Sequence, residues 1–403
     1  MATPQKPIRH RRAMSAKGGP VTALGDPRHT RLLADALAIP EEESPRILTH
    51  AFHSYPARFH PLLVRKLLAD SLPPGGTLLD PFVGSGTTLV EGALRGARNL
   101  GVDVNPLGVE LARLKATVFS VERRTQIGGR AHAVAERSLD RVKRRARTKD
   151  SGEKYDDPKR YAPHVFRELV GLREELAAEP DEEIRRVLLL VLSAIVVKVS
   201  RQPSDTAAGT VERSLGKGMA TRIFHRKADE LVRLLAELAG KVPPNTPPPD
   251  VRLGDARHVS HVRPGSVDVI VTSPPYLGTY DYAEQHARRF GWLGLDARSF
   301  EALEIGARRR AKTPDAALAT WQTDVDSFVA EFARVLKPEG RAFVVIGDSA
   351  IGARVIPGDQ AIRTAAARAK LTILASAAQA RPNFYEPAAR RTRSEHLLML
   401  GRR

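Results

Sequence analysis

Gly75 to Val104, GGTLLDPFVGSGTTLVEGALRGARNLGVDV, changes its hydrophobic period twice within 30 residues. Leu78 and Leu79 belong to a short apolar run that Pro81 closes, because proline has no backbone N–H to contribute to a ladder. Thr87 to Ala97 then spaces its apolar side chains as a helix does, and Asn99 to Val104 returns to a strand pattern. Strand, glycine turn, helix and strand in that order describe a βαβ unit. Gly84 and Gly86 lie in its turn, where the lack of a Cβ lets the backbone come close to a ligand.

Two phosphate-binding patterns fail at this turn. A P-loop needs a lysine after its second glycine, and here Thr87 and Thr88 follow Gly86; the dinucleotide fingerprint lacks its third glycine. Asp103, just after the second strand, stands where βαβ nucleotide sites put an acid on ribose hydroxyls. A turn or helix N-cap role fits it as well.

Outward from this unit, residues 1–45 are basic and punctuated by Pro and Gly, which reads as a flexible arm with one short helix near His29 to Ile39. Residues 46–116 make one half of an α/β domain, and 251–403 make the other. The second half supplies the strands VRLGDA and VDVIVT, a helix ending in VDSFVAEFARVL, the strand RAFVVIGD, and a tail whose last two strands form a hairpin. Residues 117–250 between them are long helices, closed by the extended spacer KVPPNTPPPD. The expected fold is a doubly wound, mostly parallel sheet interrupted by a helical lobe.

The formal net charge is +18 and the isoelectric point near 10.4, which calls for a polyanionic partner unless an arginine-rich genome accounts for it. There is no cysteine, so zinc–thiolate sites, disulfides and thiol nucleophiles are excluded together. The longest apolar run, residues 187–199, is broken by Ser193 and Lys198 and is short of the roughly 20 residues that span a bilayer. The basic start of the chain has no apolar core of a signal peptide, so a cytoplasmic, nucleoid-associated protein with no membrane contact is expected. The 12 histidines show no HExxH-type spacing, and no metal is expected.

The stretch DPFVGSGTT (80–88), followed by GVDVNP (101–106) and later by TSPPY (272–276), resembles the S-adenosylmethionine-dependent DNA amino-methyltransferases, which act on cytosine N4 or adenine N6. YPARFHPLLVRKLL, RLGDAR and FARVLKPEGRAFVVIGD fit the same resemblance, which covers about residues 50–116 and 251–403 and leaves the helical lobe out. It implies a seven-stranded Rossmann-like methyltransferase sheet with a C-terminal antiparallel hairpin. It also implies that Gly84, Ser85 and Gly86 pass beneath the methionine part of the cofactor, in the turn that opens with Asp80, Pro81 and Phe82 and with Asp80 near the amino group. Asp103 and Asn105 belong to the ribose side, Asp255 and Ala256 border the adenine, and Phe59 and His60 line the methionine side unless they cap or pack a helix.

TSPPY carries the implied chemistry. An exocyclic amine is a weak nucleophile because its lone pair is delocalised, and acceptors that pull its N–H bonds let it pyramidalise toward the methyl donor. The Ser273 hydroxyl and the Pro274 carbonyl supply acceptors, Pro274 and Pro275 stiffen the corner, and Tyr276 offers a face for a flipped base. Methylation at cytosine C5 requires a thiolate, which this chain lacks. In the resembling family Ser at the first position of this tetrapeptide leans toward cytosine N4. Adenine N6, an RNA guanine-N2 methyltransferase and a cofactor-binding protein without turnover stay open. Double-stranded DNA is the expected partner, with a cognate restriction endonuclease as a second. The lobe would contact DNA, with Arg144, Arg145, Arg147 and Lys149 on phosphates and Lys198 and Arg201 near the base or groove, although a basic helix face is also compatible with plain solvation. Tyr280, Tyr282, Phe290 and Trp292 wall the base pocket or fill the core.

Overall fold

The computed structural model describes residues 19–40, 43–144, 148, 151–205, 209–279, 281–307, 313–351, 354–381 and 393–402. Its strands are β1 (Val21–Gly25), β2 (Thr77–Asp80), β3 (Arg98–Asp103), β4 (Asp250–Leu253), β5 (Val267–Thr272), β6 (Leu336–Gly347), β7 (Ser349–Ile351), β8 (Arg354–Ile356), β9 (Leu371–Arg381) and β10 (Arg393–Arg402). Its helices are α1 (Pro27–Leu37), α2 (Pro61–Ser71), α3 (Thr87–Ala93), α4 (Pro106–Ala116), α5 (Val121–Lys143), α6 (Pro163–Ala177), α7 (Glu182–Val199), α8 (Met219–Ala239), α9 (Tyr282–Leu293), α10 (Arg298–Leu303), α11 (Pro314–Val335) and α12 (Gly358–Arg368).

One sheet runs β1-β9-β10-β6-β5-β2-β3-β4. From β4 to β6 the pairs are parallel, and β10 is antiparallel to both β6 and β9. Parallel strands need crossover helices on both faces, so successive residues are buried in opposite layers. Val269 and Val271 of β5, Phe343 and Val345 of β6, and Leu397 and Met399 of β10 pack with Leu33 of α1 and Leu67 of α2. Ile270, Val344 and Leu398, one step along each strand, pack on the opposite side with Phe328 and Phe332 of α11 and Ile362 of α12.

The sheet has eight strands, one more than the seven expected, and the extra strand comes from the region read as a flexible arm. Val21 to Gly25 pair antiparallel with Gln379 to Ala375, and α1 buries Leu33, Ala36 and Leu37 against the sheet. Asp26 caps that helix by accepting from the Arg28 N–H (3.0 Å), with Pro27 at its first position. The strand escapes a sequence reading because β1 is an edge with only one partner and little of it is buried.

The helices of 117–250 are not an independent body. Ile127 and Val134 of α5, Leu169 of α6, Leu188 and Val191 of α7 and Phe224 and Leu231 of α8 share one core with Leu107 and Leu111 of α4 and with Phe290 and Trp292 of α9. Phe290 and Trp292 are therefore core, and the Trp292 indole N–H donates to the Tyr161 hydroxyl (3.1 Å). Among the described residues no helix is long and apolar enough to cross a membrane.

Candidate active site

From β2 the sheet grows outward through β3 and β4 on one side and through β5 and β6 on the other, and the carboxyl ends of β2 and β5 meet where the order reverses. Ligands of open α/β sheets bind at such a point. A cleft opens here. Pro81, Phe82, Gly84, Asp103 and Asn105 line it from the first half, and Asp255, Ala256, Ser273 and Pro275 from the second. The two segments that the sequence singles out thus share one cavity.

Asp103 fixes the glycine turn as well as facing the cleft. Its carboxylate accepts from the Gly84 N–H (2.7 Å) and the Asn105 N–H (2.8 Å). Asn105 caps α4 through its side-chain oxygen, and its amide nitrogen lies 3.1 Å from the Tyr55 hydroxyl and 2.9 Å from Nδ1 of His286. Burial pushes the Asp103 carboxyl up to about 6, against the two backbone donors that favour the anion. The acid is ionised above that pH and loses its charge below it. Cofactor affinity should therefore weaken about tenfold between pH 7 and pH 5, and the Asp103→Asn variant should show a flat profile, as read by calorimetry with sinefungin.

Asp80 does not line the cleft. Fully enclosed at the end of β2, it accepts from the Phe82 N–H (3.1 Å) and from the Thr272 hydroxyl (2.7 Å) at the end of β5, and burial pushes its carboxyl up to about 6. Its position joins the two halves under the site. Ser85 also turns inward, accepting from the ammonium of Lys115 (3.3 Å), a fully buried lysine whose pKa burial holds well below the usual range. Gly86 opens α3 at φ +83°, and a Cβ there would lie 2.6 Å from Cα of Ala112 on α4. The left-handed backbone and the packing of α4 both call for glycine here.

Phe59 and His60 take the packing and capping roles that the sequence left open for them. Phe59 packs with the cluster that contains Leu33 and Leu63, and His60 caps α2, its Nδ1 accepting from the Leu62 N–H (3.2 Å). Neither lines the cleft. Asp255 does line it and is held by Arg257, whose guanidinium reaches Asp255 (2.6 Å) and Asp324 (2.6 Å).

At the proline corner the Ser273 hydroxyl donates to the Tyr276 hydroxyl (3.3 Å), and the Pro275 carbonyl accepts from the Trp321 indole (3.2 Å). Pro274 is buried. Tyr276 is not a cleft wall: its ring lies on Gly347 at the end of β6, where a Cβ would fall 2.7 Å from Cε2. The aromatic faces at the cleft are Tyr55, Phe82, Tyr282 and Phe300, with Glu304 accepting from the Tyr282 N–H (2.7 Å). Tyr55 comes from the loop before α2 and Phe300 from the short helix α10, and neither has a local pattern that marks a cleft wall.

Of the basic residues assigned to DNA, Arg144 is exposed at the end of α5, Lys198 is exposed in the last turn of α7, and Arg201 is exposed with its guanidinium on the Lys159 carbonyl (3.2 Å). Arg145, Arg147 and Lys149 lie outside the described residues, as does Tyr280. One group of metal-type side chains occurs among the described residues, Asp348, Asp359 and His396. Protein groups already engage its acids: His396 (2.8 Å) and the Ser394 N–H (2.9 Å) on Asp348, and Arg363 (3.0 Å) on Asp359.

Residues 26–113, which hold β2, β3, α3, the glycine turn and most of α4, match the family model described as DNA methylase of the N6/N4 type. This segment is similar to the N6/N4 DNA methylases. The chain is 22% identical to the type II methyltransferase M.MjaII of Methanocaldococcus jannaschii over 386 residues, 74% of this chain and 72% of that one. It is 21% identical to M.BsoBI of Geobacillus stearothermophilus over 63% of this chain and 54% of the relative. Against M.MvaI of Kocuria varians it is 42% identical over 73 residues, 17% of this chain and 16% of the relative. The cofactor is S-adenosylmethionine, and the cleft suits it. Among the described residues Asp103, Asp255 and Glu304 line the cavity and no lysine or arginine does, a balance that favours a ligand bearing a sulfonium cation.

Proposed function

We propose that this chain transfers a methyl group from S-adenosylmethionine to the N4 amine of cytosine in double-stranded DNA. The observation that carries the reading is the single cleft in which Asp103 and Gly84 face Ser273 and Pro275. When bound, the cofactor supplies an electrophilic methyl on a sulfonium, so no strong general base is needed. The remaining work belongs to the chain. Ser273 gives its hydrogen to the Tyr276 hydroxyl and so turns its lone pairs outward as an acceptor for the amine. The Pro274 carbonyl is the second acceptor, in a direction fixed by two prolines. Phe82, Tyr282 and Phe300 exclude water and offer faces for a base taken out of the duplex, and Asp103 with the glycine turn holds the donor side. Ser at the first position of SPPY supports cytosine over adenine.

The test uses labelled cofactor with unmethylated duplex DNA and, separately, RNA, followed by digestion to nucleosides and mass spectrometry. N4-methylcytosine is expected. N6-methyladenine would overturn the choice of base, and label found only in RNA would overturn DNA as the substrate.

A further inference from the structure

α9 leaves the proline corner and carries one row of side chains to four separate places. Tyr282 lines the cleft. One turn on, His286 meets Asn105 (2.9 Å) and the Tyr55 ring (centroids 4.8 Å apart). The next turn presents Arg289, and Trp292 follows on Tyr161 of the helical insertion (3.1 Å). Spacings of four, three and three residues keep these side chains on one face of a helix.

Arg289 is almost completely buried, at 2% exposure. Its Nε (3.1 Å) and Nη2 (2.6 Å) donate to Oδ1 of Asp205, Nη2 also reaches the Ser54 hydroxyl (3.2 Å), and Nη1 donates to the Ser193 carbonyl and to Nε2 of His53 (3.2 Å). His53 can accept there because its Nδ1 donates to the Ser54 carbonyl (2.6 Å). The Ser54 hydroxyl donates to Oδ2 of Asp205 (2.5 Å), which closes a triangle of Arg289, Asp205 and Ser54. Arg288 grips the same loop from its other side, through Gln202 and the Ser200 hydroxyl (3.3 Å), while pairing with Asp156 (2.8 Å).

The two ends of the triangle belong to different surfaces. Ser54 directly precedes Tyr55, a wall of the cleft, and Asp205 ends the segment that carries the exposed cations Lys198 and Arg201. We propose that this triangle is a coupling clasp, with Arg289 as its positioning residue, through which DNA held at residues 198–205 and cofactor held in the cleft strengthen one another's binding. The proposal rests on the reading of DNA as the substrate. A buried guanidinium stripped of its carboxylate is left uncompensated, so the loop and the cleft wall can only move together while the clasp is intact. Coupling is reciprocal, so it can be read from either ligand.

The experiment measures sinefungin affinity by calorimetry with and without a saturating PCR-amplified, unmethylated duplex. In the wild type the duplex should tighten sinefungin about fivefold or more, and Asp205→Asn and Arg289→Lys should bring that factor to within about twofold of unity. Loss of stability alone would lower the melting temperature and weaken sinefungin in both states, leaving the ratio intact. Ser54→Ala, at an exposed residue, should reduce the factor without threatening the fold. A factor of unity in the wild type, or an unchanged factor in any folded variant, overturns the clasp. Labelled methyl transfer to the same duplex is measured in parallel. Transfer without coupling removes the clasp and leaves the DNA reading standing, whereas transfer only to RNA removes both.

Discussion

Ser273→Ala should lower kcat on unmethylated DNA about a hundredfold, with sinefungin affinity unchanged within about twofold. The size of the effect follows from what the hydroxyl does. It donates to Tyr276 (3.3 Å) and faces the cleft with its lone pairs, so its removal takes one of two acceptors from an amine that must lose conjugation before it can react. The loss sits at the lower end for a transition-state hydrogen bond because the Pro274 carbonyl, a backbone group, survives the substitution. Tyr276→Phe should cost less, about fivefold, since it frees the serine proton without deleting the acceptor. Single-turnover rates separate the chemical step from DNA binding. A Ser273→Ala rate within about threefold of wild type would mean that the corner is not the acceptor pair.

What the sequence made legible was local. The βαβ unit, its glycine turn and the proline corner each rest on backbone chemistry within a few residues, and each stands in the structure at the carboxyl end of a strand of the sheet. The pairing of those ends was legible too, since a doubly wound sheet brings the first and fourth strands of the βα array together. The partners of individual side chains were not. Asp80 reads the same whether it faces a ligand or clamps Thr272, and only the register between β2 and β5 decides that it clamps. Ser85 points at Lys115, 30 positions away, and nothing in GSG announces a buried lysine beneath it. The eighth strand was hidden for a different reason: VTALG has ordinary composition, and its one strand partner is β9, about 350 residues further along.

Gly86→Ala tests the sharpest of these reassignments. Alanine at φ +83° carries a strain of about 1 kcal/mol, and its Cβ would lie 2.6 Å from Cα and 2.9 Å from Cβ of Ala112. The nearest obstacle is backbone, so α4 must shift, at a further cost of about 1–3 kcal/mol. Asn105 caps that helix and receives Asp103 on its N–H, so the displacement also disturbs the cleft, and sinefungin affinity should fall about tenfold or more. Gly75→Ala supplies the control. Gly75 has φ +66°, but no atom lies within 4 Å of its would-be Cβ, so the substitution should cost only the strain and leave sinefungin binding unchanged. Denaturant unfolding measures the difference between the two variants, expected at about 1–3 kcal/mol. Should Gly86→Ala unfold as easily as Gly75→Ala and still lose sinefungin, the second glycine of the turn would be reserved for the ligand after all, and α4 would be free of the constraint assigned to it here.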